Sequence, residues 1–180
     1  MKKILLILLI PIIIFSTTAC EKNNNNPNKK DISIVDETTG FEVHFYYDKK
    51  EKYSKPVPNY LGNTKEFTFT NNKNNLEYQM YFTTFKKDSY KISKNTRKNQ
   101  KYYDEYKFGK YKAYTYGNLD DVLYLNIYLD KKKEYGEIIL FTTIKKTDNT
   151  QKETVKEIFD SKEVQNMFKT ITYKLNSKQK

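Results

Sequence analysis

The residues best suited to acid–base chemistry lie in one alternating segment, Phe41 to Asp48. His44 is the single histidine of the chain, and Glu42 lies two residues before it. Residues i and i+2 of a β-strand share a face, so the Glu42 carboxylate could orient the His44 imidazole as a general base. The alternative, which we favour, is a half-exposed histidine on a strand. One histidine without a free thiol also excludes histidine-rich zinc clusters and a Cys–His nucleophile pair.

Three aspartates have the chemistry to bind a cation: Asp120 and Asp121, with Asp130 at the far end of the same predicted strand. Neighbouring residues of a strand point to opposite faces, and the alternating acidic spacing of a calcium loop is absent. The glycines are isolated, so no glycine-rich phosphate loop is present. We therefore interpret these aspartates as turn residues and predict no catalytic residues, no metal site, no cofactor and no enzymatic activity.

Tyrosines are the most distinctive side chains, and 17 of them are present. Alternation places Lys112, Tyr114 and Tyr116 on one face of a strand, and Tyr124 and Tyr128 lie on the next strand. Rings with hydroxyl tips suit the recognition of proteins or sugars. We define these five residues as the predicted binding face. The alternative is that the tyrosines pack beneath helices or serve as ordinary strand formers.

In the segments that position these residues, apolar and polar side chains mostly alternate, which is typical of half-buried strands. Short turns between the runs predict antiparallel pairing and a meander. The asparagine-rich segment 71–75 predicts a hairpin loop, because asparagine tolerates left-handed dihedrals. The predicted strands are 41–48, 66–70, 76–83, 111–116, 122–129 and 137–144.

Near the C-terminal end, the apolar residues recur at helical spacing instead of alternating. Thr150 and Glu153 have capping-box spacing, as do Asp160 and Glu163. The apolar stripes that follow are half a turn out of phase, which predicts two short helices with a break at Asp160–Ser161, and then a strand over 170–175. The segment 86–104 is charged and rich in asparagine, and its pattern fits either a helix or a long loop.

These elements predict an α+β fold, an antiparallel β-sheet meander packed with helices in an α/β/α sandwich. The stretches 109–113 and 161–173 resemble the PsbP-like family, and the resemblance covers about residues 32 to 175. It implies a fold used mostly for binding and assembly, and it supplies no catalytic residues.

The N-terminal residues carry a targeting signal. Lys2 and Lys3 precede twelve uncharged residues, and small residues then lead to Cys20, the single cysteine. The segment resembles the bacterial lipoprotein signal, although Thr17 stands where Leu or Val is commoner. The resemblance implies that residues 1–19 are removed as a signal peptide and that Cys20 is lipidated. The alternatives are a conventional signal followed by a free cysteine, or a short membrane helix.

From its composition, the rest of the chain is predicted to have three parts. Residues 20–30 form a tether that carries the lipid, residues 31–176 form a single domain, and residues 177–180 form a disordered tail. The net charge of +11 becomes about +9 without Lys2 and Lys3, but export argues against nucleic acid as the partner. We predict a non-enzymatic binding or assembly lipoprotein on the outer face of the cytoplasmic membrane, in a Gram-positive cell, with a protein or anionic wall-polymer partner. The alternative is a lipoprotein that binds a small ligand or carbohydrate.

Overall fold

The computed structural model describes residues 28–86 and 88–176. Cys20, the predicted signal peptide, most of the predicted tether and the predicted tail lie outside the described residues. Strands account for 54% of the structure and helices for 15%. None of the helices in the described part of the chain has the length and apolar character needed to cross a membrane.

The described chain forms ten strands and three helices joined by turns and short irregular segments. In chain order they are β1 (Lys29–Asp36), β2 (Phe41–Asp48), β3 (Val57–Leu61), β4 (Thr64–Asn71), β5 (Leu76–Phe85), α1 (Ser89–Arg97), β6 (Asp104–Phe108), β7 (Tyr111–Leu119), β8 (Val122–Lys132), β9 (Gly136–Lys146), α2 (Val155–Phe159), α3 (Lys162–Lys169) and β10 (Thr172–Leu175).

All strand pairs are antiparallel, and the strands form two sheets. The small sheet has the order β1-β2-β10, and the large sheet has the order β3-β4-β5-β9-β8-β7-β6. The large sheet therefore consists of two meanders that meet where β5 pairs with β9. The meander predicted between residues 111 and 144 corresponds to β7, β8 and β9.

The core lies between the two sheets, because each sheet turns an apolar row towards the other. Phe168 of α3 closes the same layer, and its ring centroid lies 5.4 Å from those of Phe45 and Phe108. The outer face of the large sheet is the side that points away from this core. The buried rows include Phe41, Val43 and Phe45 in β2 and Leu123, Leu125 and Ile127 in β8.

The predicted α+β fold, an α/β/α sandwich, is wrong. The inner face of the large sheet is covered chiefly by a second sheet, in which Ile32, Ile34 and Phe41 are buried. α2 and α3 have 5 and 8 residues, which is too short for a complete helical layer, and only α1 packs on the outer face. A strand with one apolar row must bury that row against another element, and β1 and β2 bury theirs against the large sheet.

The predicted break between the last two helices is confirmed, because α2 ends before Asp160–Ser161 and α3 begins after it. The caps differ from the predicted ones. The N-cap of α2 is Thr154, not Thr150, and Thr154 forms a capping box with Glu157. The N-cap of α3 is Ser161 rather than Asp160. In both cases the cap is the polar residue next to the first helical residue, as N-capping geometry requires.

Candidate binding face on the large sheet

The predicted binding face lies on the outer side of the large sheet. In the register of β7 and β8, Lys112 is opposite Tyr128 and Tyr116 is opposite Tyr124, while Tyr114 is opposite Asn126. The five predicted residues therefore share one face, as alternation along each strand requires. Their role in binding stays a prediction.

α1 lies across this face and covers part of it. The Tyr90 ring packs edge-on against Tyr114 and against Tyr128, at 5.2 Å in each case. The Tyr114 hydroxyl donates to Ser93 Oγ at 2.7 Å, and Tyr114 is only 1% exposed. A macromolecular partner cannot reach Tyr114, so for this residue packing beneath a helix is the correct interpretation.

Glu137 fixes the start of α1 to the sheet. Its Oε2 atom accepts a hydrogen bond from the Tyr90 backbone N–H at 2.9 Å, in a buried setting. The N-cap residue Asp88 has φ 46° and makes no capping hydrogen bond with its side chain. Just before Glu137, Gly136 lets the start of β9 approach the end of β5 closely, because its φ is +76° and a Cβ there would lie 2.1 Å from Phe85 O. The β9 carboxylate thus replaces a local helix cap and holds α1 against the tyrosines.

On one side of α1 is a cleft with a volume of about 760 Å³. Two α1 lysines face lysines from β7, β8 and the turn before β7, and Tyr90 and Tyr128 form part of the wall. We call this feature the lysine cleft; its cations are Lys91, Lys94, Lys110, Lys112 and Lys131.

Most of the positive charge of the lysine cleft is not neutralised. Lys94 pairs with Glu105 at 3.0 Å, and Lys131 lies 4.0 Å from Asp88. None of the ion pairs within residues 28–86 and 88–176 involves Lys91, Lys110 or Lys112.

The two acidic residues of the cleft wall are already engaged. Glu137 accepts from the backbone of α1, and Asp130 pairs with Lys132 at 3.0 Å, outside the cleft lining. Glu105, which pairs with Lys94, also accepts from the Tyr103 hydroxyl, and these two donors lower the pKa of its carboxyl. The cleft is therefore a positively charged depression beside aromatic rings.

On the other side of α1 is a smaller pocket of about 230 Å³, which we call the aromatic pocket. Ser89, Ser93 and Arg97 of α1 line one wall, at the i, i+4, i+8 spacing of a single helical stripe. The sheet supplies rings and three further side chains. The sheet residues that line it are Tyr81, Thr83, Phe85, Tyr114, Tyr116, Asn126, Ile139 and Phe141.

α1 therefore divides the predicted binding face. Lys112 and Tyr128 line the lysine cleft, whereas Tyr114 and Tyr116 line the aromatic pocket. Tyr124 stacks on Tyr116 at 5.1 Å, beyond the C-terminal end of α1. Burial raises the pKa of Tyr114, Tyr116 and Tyr128, so all three carry neutral hydroxyls at physiological pH.

His44 lies elsewhere, on the outer side of the small sheet. Its Nε2 atom bonds to Glu42 Oε1, and its Nδ1 atom lies 3.4 Å from Asp31 Oδ2. The contact with Glu42 that the general-base hypothesis requires is present, but the histidine sits between two carboxylates and lines neither the lysine cleft nor the aromatic pocket. The favoured interpretation, a partly exposed histidine on a strand, agrees with its 18% side-chain exposure. This arrangement is a cluster of hydrogen-bonded polar side chains on a strand surface.

The aspartates considered for calcium do not converge. Asp120 pairs with Lys101 at 2.7 Å and accepts from the Tyr102 hydroxyl, at the turn between β7 and β8. Within the described residues, no group of three or more acidic, histidine or cysteine side chains is arranged to hold a metal ion.

Comparison with known proteins adds no identification. No protein-family model, curated protein or solved structure matches this chain. Function is therefore argued from the geometry of the face itself.

Several residues of this face were not among the predicted ones. Lys91, Lys94 and Arg97 belong to α1, in the segment for which the pattern fitted either a helix or a loop. Asn126 and Glu137 lie on predicted strands. Asn126 carried a usable signal, because it is a polar residue on a face otherwise formed by Tyr124 and Tyr128.

Proposed function

We propose that this domain is a non-catalytic binding module that holds an anionic polymer of the bacterial cell envelope in the lysine cleft. The observation that supports this most directly is that Lys91, Lys110 and Lys112 line one depression and have no carboxylate partner in the part of the chain that the structure describes. The rings of Tyr90 and Tyr128 border the same space and offer an apolar surface to the sugar or polyol units between the charges of such a polymer.

The strength of this binding follows from the number of contacts. An exposed ion pair contributes about 0.2–1 kcal/mol, so no single lysine holds a polymer. A polymer with regularly repeated charges engages several lysines together and rebinds at the next repeat, which raises its effective concentration. Binding of this kind is sensitive to salt, because exposed charges are screened within about 8 Å at physiological ionic strength.

The proposed function includes anchoring of the domain at the membrane. We propose that Cys20 carries a lipid and that the polar segment after it keeps the domain close to the outer face of the cytoplasmic membrane. Stable anchoring takes more than one acyl chain, as the lipoprotein resemblance implies. A domain held there is within reach of polymers that are anchored to the same membrane or to the wall above it.

The test measures the binding of a linear polyphosphate to the mature protein in detergent micelles. Replacement of Lys91, Lys110 and Lys112 by Gln removes the three unpaired charges. We expect this variant to bind at least about threefold more weakly at low salt, because it loses three contacts of about 0.2–1 kcal/mol each. Affinity of the unmodified protein should fall as salt is raised.

The matched control replaces Lys49, Lys52 and Lys55 by Gln. These exposed lysines lie between β2 and β3, and the change in net charge is the same. We expect the control to bind within about twofold of the unmodified protein, because its lost charges lie outside the cleft. Equal losses in the two variants would show that binding depends on net charge alone, and the proposal would then be wrong.

A further inference from the structure

The aromatic pocket has the size of a small-molecule site. Its volume of about 230 Å³ exceeds the ~150 Å³ of an apolar cavity that admits benzene, so it has room for one six-membered ring with a substituent. Its walls combine rings with a few polar groups, which is typical of ligand sites. Tyr81 and Phe141 lie side by side at 4.9 Å and form part of the apolar wall.

Asn126 supplies the observation that points to a ligand. Only 6% of the residue is exposed, and it lines the pocket between Tyr114 and Phe141 of the neighbouring strands. Its Nδ2 atom has no hydrogen-bond partner among the described residues. The same amide lies near the Tyr116 hydroxyl and favours its ionised form, but it does not reach hydrogen-bond geometry with it. An unsatisfied buried donor is costly, and a ligand acceptor would satisfy it.

The charge of the pocket specifies the kind of acceptor. Arg97 lines the pocket, and its guanidinium lies over the Tyr116 ring at 4.9 Å. No carboxylate lines the pocket, and none of the ion pairs in the part of the chain that the structure describes involves Arg97. A guanidinium presents its donors in a fork that matches a carboxylate.

From these features we infer that the aromatic pocket binds a small ring-bearing carboxylate, with the ring among Tyr81, Tyr116 and Phe141 and a carboxylate oxygen as the acceptor for Asn126. The site is separate from the lysine cleft, because the two line opposite sides of α1 and share no residue. It therefore goes beyond the proposed polymer binding.

The test uses benzoate as the probe and the mature protein in detergent micelles. Benzoate should bind and shift the NMR signal of the Asn126 side-chain amide. Benzyl alcohol, which keeps the ring but lacks the charge, should bind at least about tenfold more weakly. Excess polyphosphate should leave the Kd of benzoate unchanged, which separates this inference from the proposed function of the cleft.

Two substitutions identify the recognising group. Asn126→Asp keeps the shape but replaces the donor by a second carboxylate, and it should weaken benzoate binding at least about tenfold. Asn59→Asp is the matched control, because Asn59 is exposed on β3 of the same sheet, and it should change the Kd less than about twofold.

A third variant tests whether Asn126 is merely structural. Asn126→Leu removes the unsatisfied amide while keeping a similar volume, so the thermal unfolding midpoint should stay equal or rise while benzoate binding is lost. The inference is overturned if benzoate does not bind the unmodified protein, if benzyl alcohol binds equally well, if Asn126→Asp binds as tightly, or if Asn126→Leu unfolds at a lower temperature.

Discussion

Glu42 is a carboxylate whose two oxygens are both engaged in the folded protein. Asn176 Nδ2 donates to Glu42 Oε2 at 2.6 Å, and His44 bonds to Oε1. The bond from Asn176 lowers the pKa of the Glu42 carboxyl from its usual value of 4.5, with a further contribution from His44. Glu42 thus connects the start of β2 with the residue that follows β10.

The pH dependence of stability follows from this shift. Because the pKa of Glu42 is lower in the folded than in the unfolded protein, its ionised form stabilises the fold above about pH 4.5. That stabilisation is lost as the pH falls through the lower, folded pKa. We expect Glu42→Gln to reduce the difference in free energy of unfolding between pH 7 and pH 3, measured by urea titration, whereas Glu134→Gln, at an exposed position, leaves it unchanged. An unaltered pH profile in Glu42→Gln would contradict this assignment.

Single residues differ in how far their roles can be predicted from sequence. Glu42 and His44 share a face because they are two residues apart, and this local rule was enough to place them side by side. Glu137 caps a helix whose Tyr90 lies 47 residues away in the chain. No local pattern pairs those two residues, since the contact depends on where α1 crosses the sheet. For the same reason, the separation of Lys112 from Tyr114 into two sites could not be predicted.

At the scale of elements, substitutions can test which residue is the N-cap of α2. The Thr154 side chain accepts from the Glu157 N–H, and Glu157 bonds back to the Thr154 N–H at 2.7 Å. Thr154→Ala should lower the free energy of unfolding by about 1 kcal/mol, as the loss of an N-cap does. Thr150→Ala should change it by less than about 0.5 kcal/mol, because Thr150 is exposed and its hydroxyl bonds to the nearby Asp148 rather than to a helix. Equal effects on urea unfolding would favour the cap predicted from the sequence.

The strands that could be predicted are those with a long apolar row. β2, β5, β7, β8 and β9 each begin within one residue of their predicted start. Burial alternates along β2 and the first half of β5, whereas the middle residues of β7 and β9 are buried on both faces. β3 and β6 carry no such row, because β3 is exposed along its whole length and β6 buries only Phe108. β1 begins at Lys29, inside the predicted tether, because its first three residues pair with β2 while remaining exposed. Edge strands bury one apolar row or none, and their pattern is correspondingly weak.

The hairpin between β4 and β5 was predictable for a physical reason that the structure displays. Asn75 has φ 52°, the left-handed conformation that asparagine tolerates. Asn71 Oδ1 accepts from the backbone N–H groups of Lys73 and Asn74. Both features belong to asparagine chemistry and need no information from the rest of the fold.

At the scale of the whole molecule, the sequence could not show what covers the inner face of the large sheet. The small sheet combines a hairpin near the start of the described chain with a strand near its end. Such pairing depends on distant segments whose individual patterns fit other folds equally well. The helical layers were predicted from the elements themselves, and the structure instead covers the inner face of the large sheet chiefly with the small sheet.

The proposed anchoring makes a prediction for the complete protein. Cys20→Ser removes the only thiol that could carry a lipid, and we expect it to move the protein from the membrane fraction to the soluble fraction. Thr17→Leu, which restores the commoner residue of the lipobox, should leave the protein in the membrane fraction. Both are measured by fractionation and immunoblotting. Retention of Cys20→Ser at the membrane, after washing with high salt, would exclude a lipid anchor at this residue.

The link between β2 and β10 has a consequence for biogenesis. Tyr46 and Thr170 are 124 residues apart, yet the Thr170 hydroxyl bonds to both the backbone N–H and the carbonyl oxygen of Tyr46. A polypeptide threaded outward through a secretion channel, N-terminus first, cannot close this junction until residue 170 has emerged. Under the proposed export, this junction therefore forms late, on the far side of the bilayer, because it joins segments 124 residues apart in the chain.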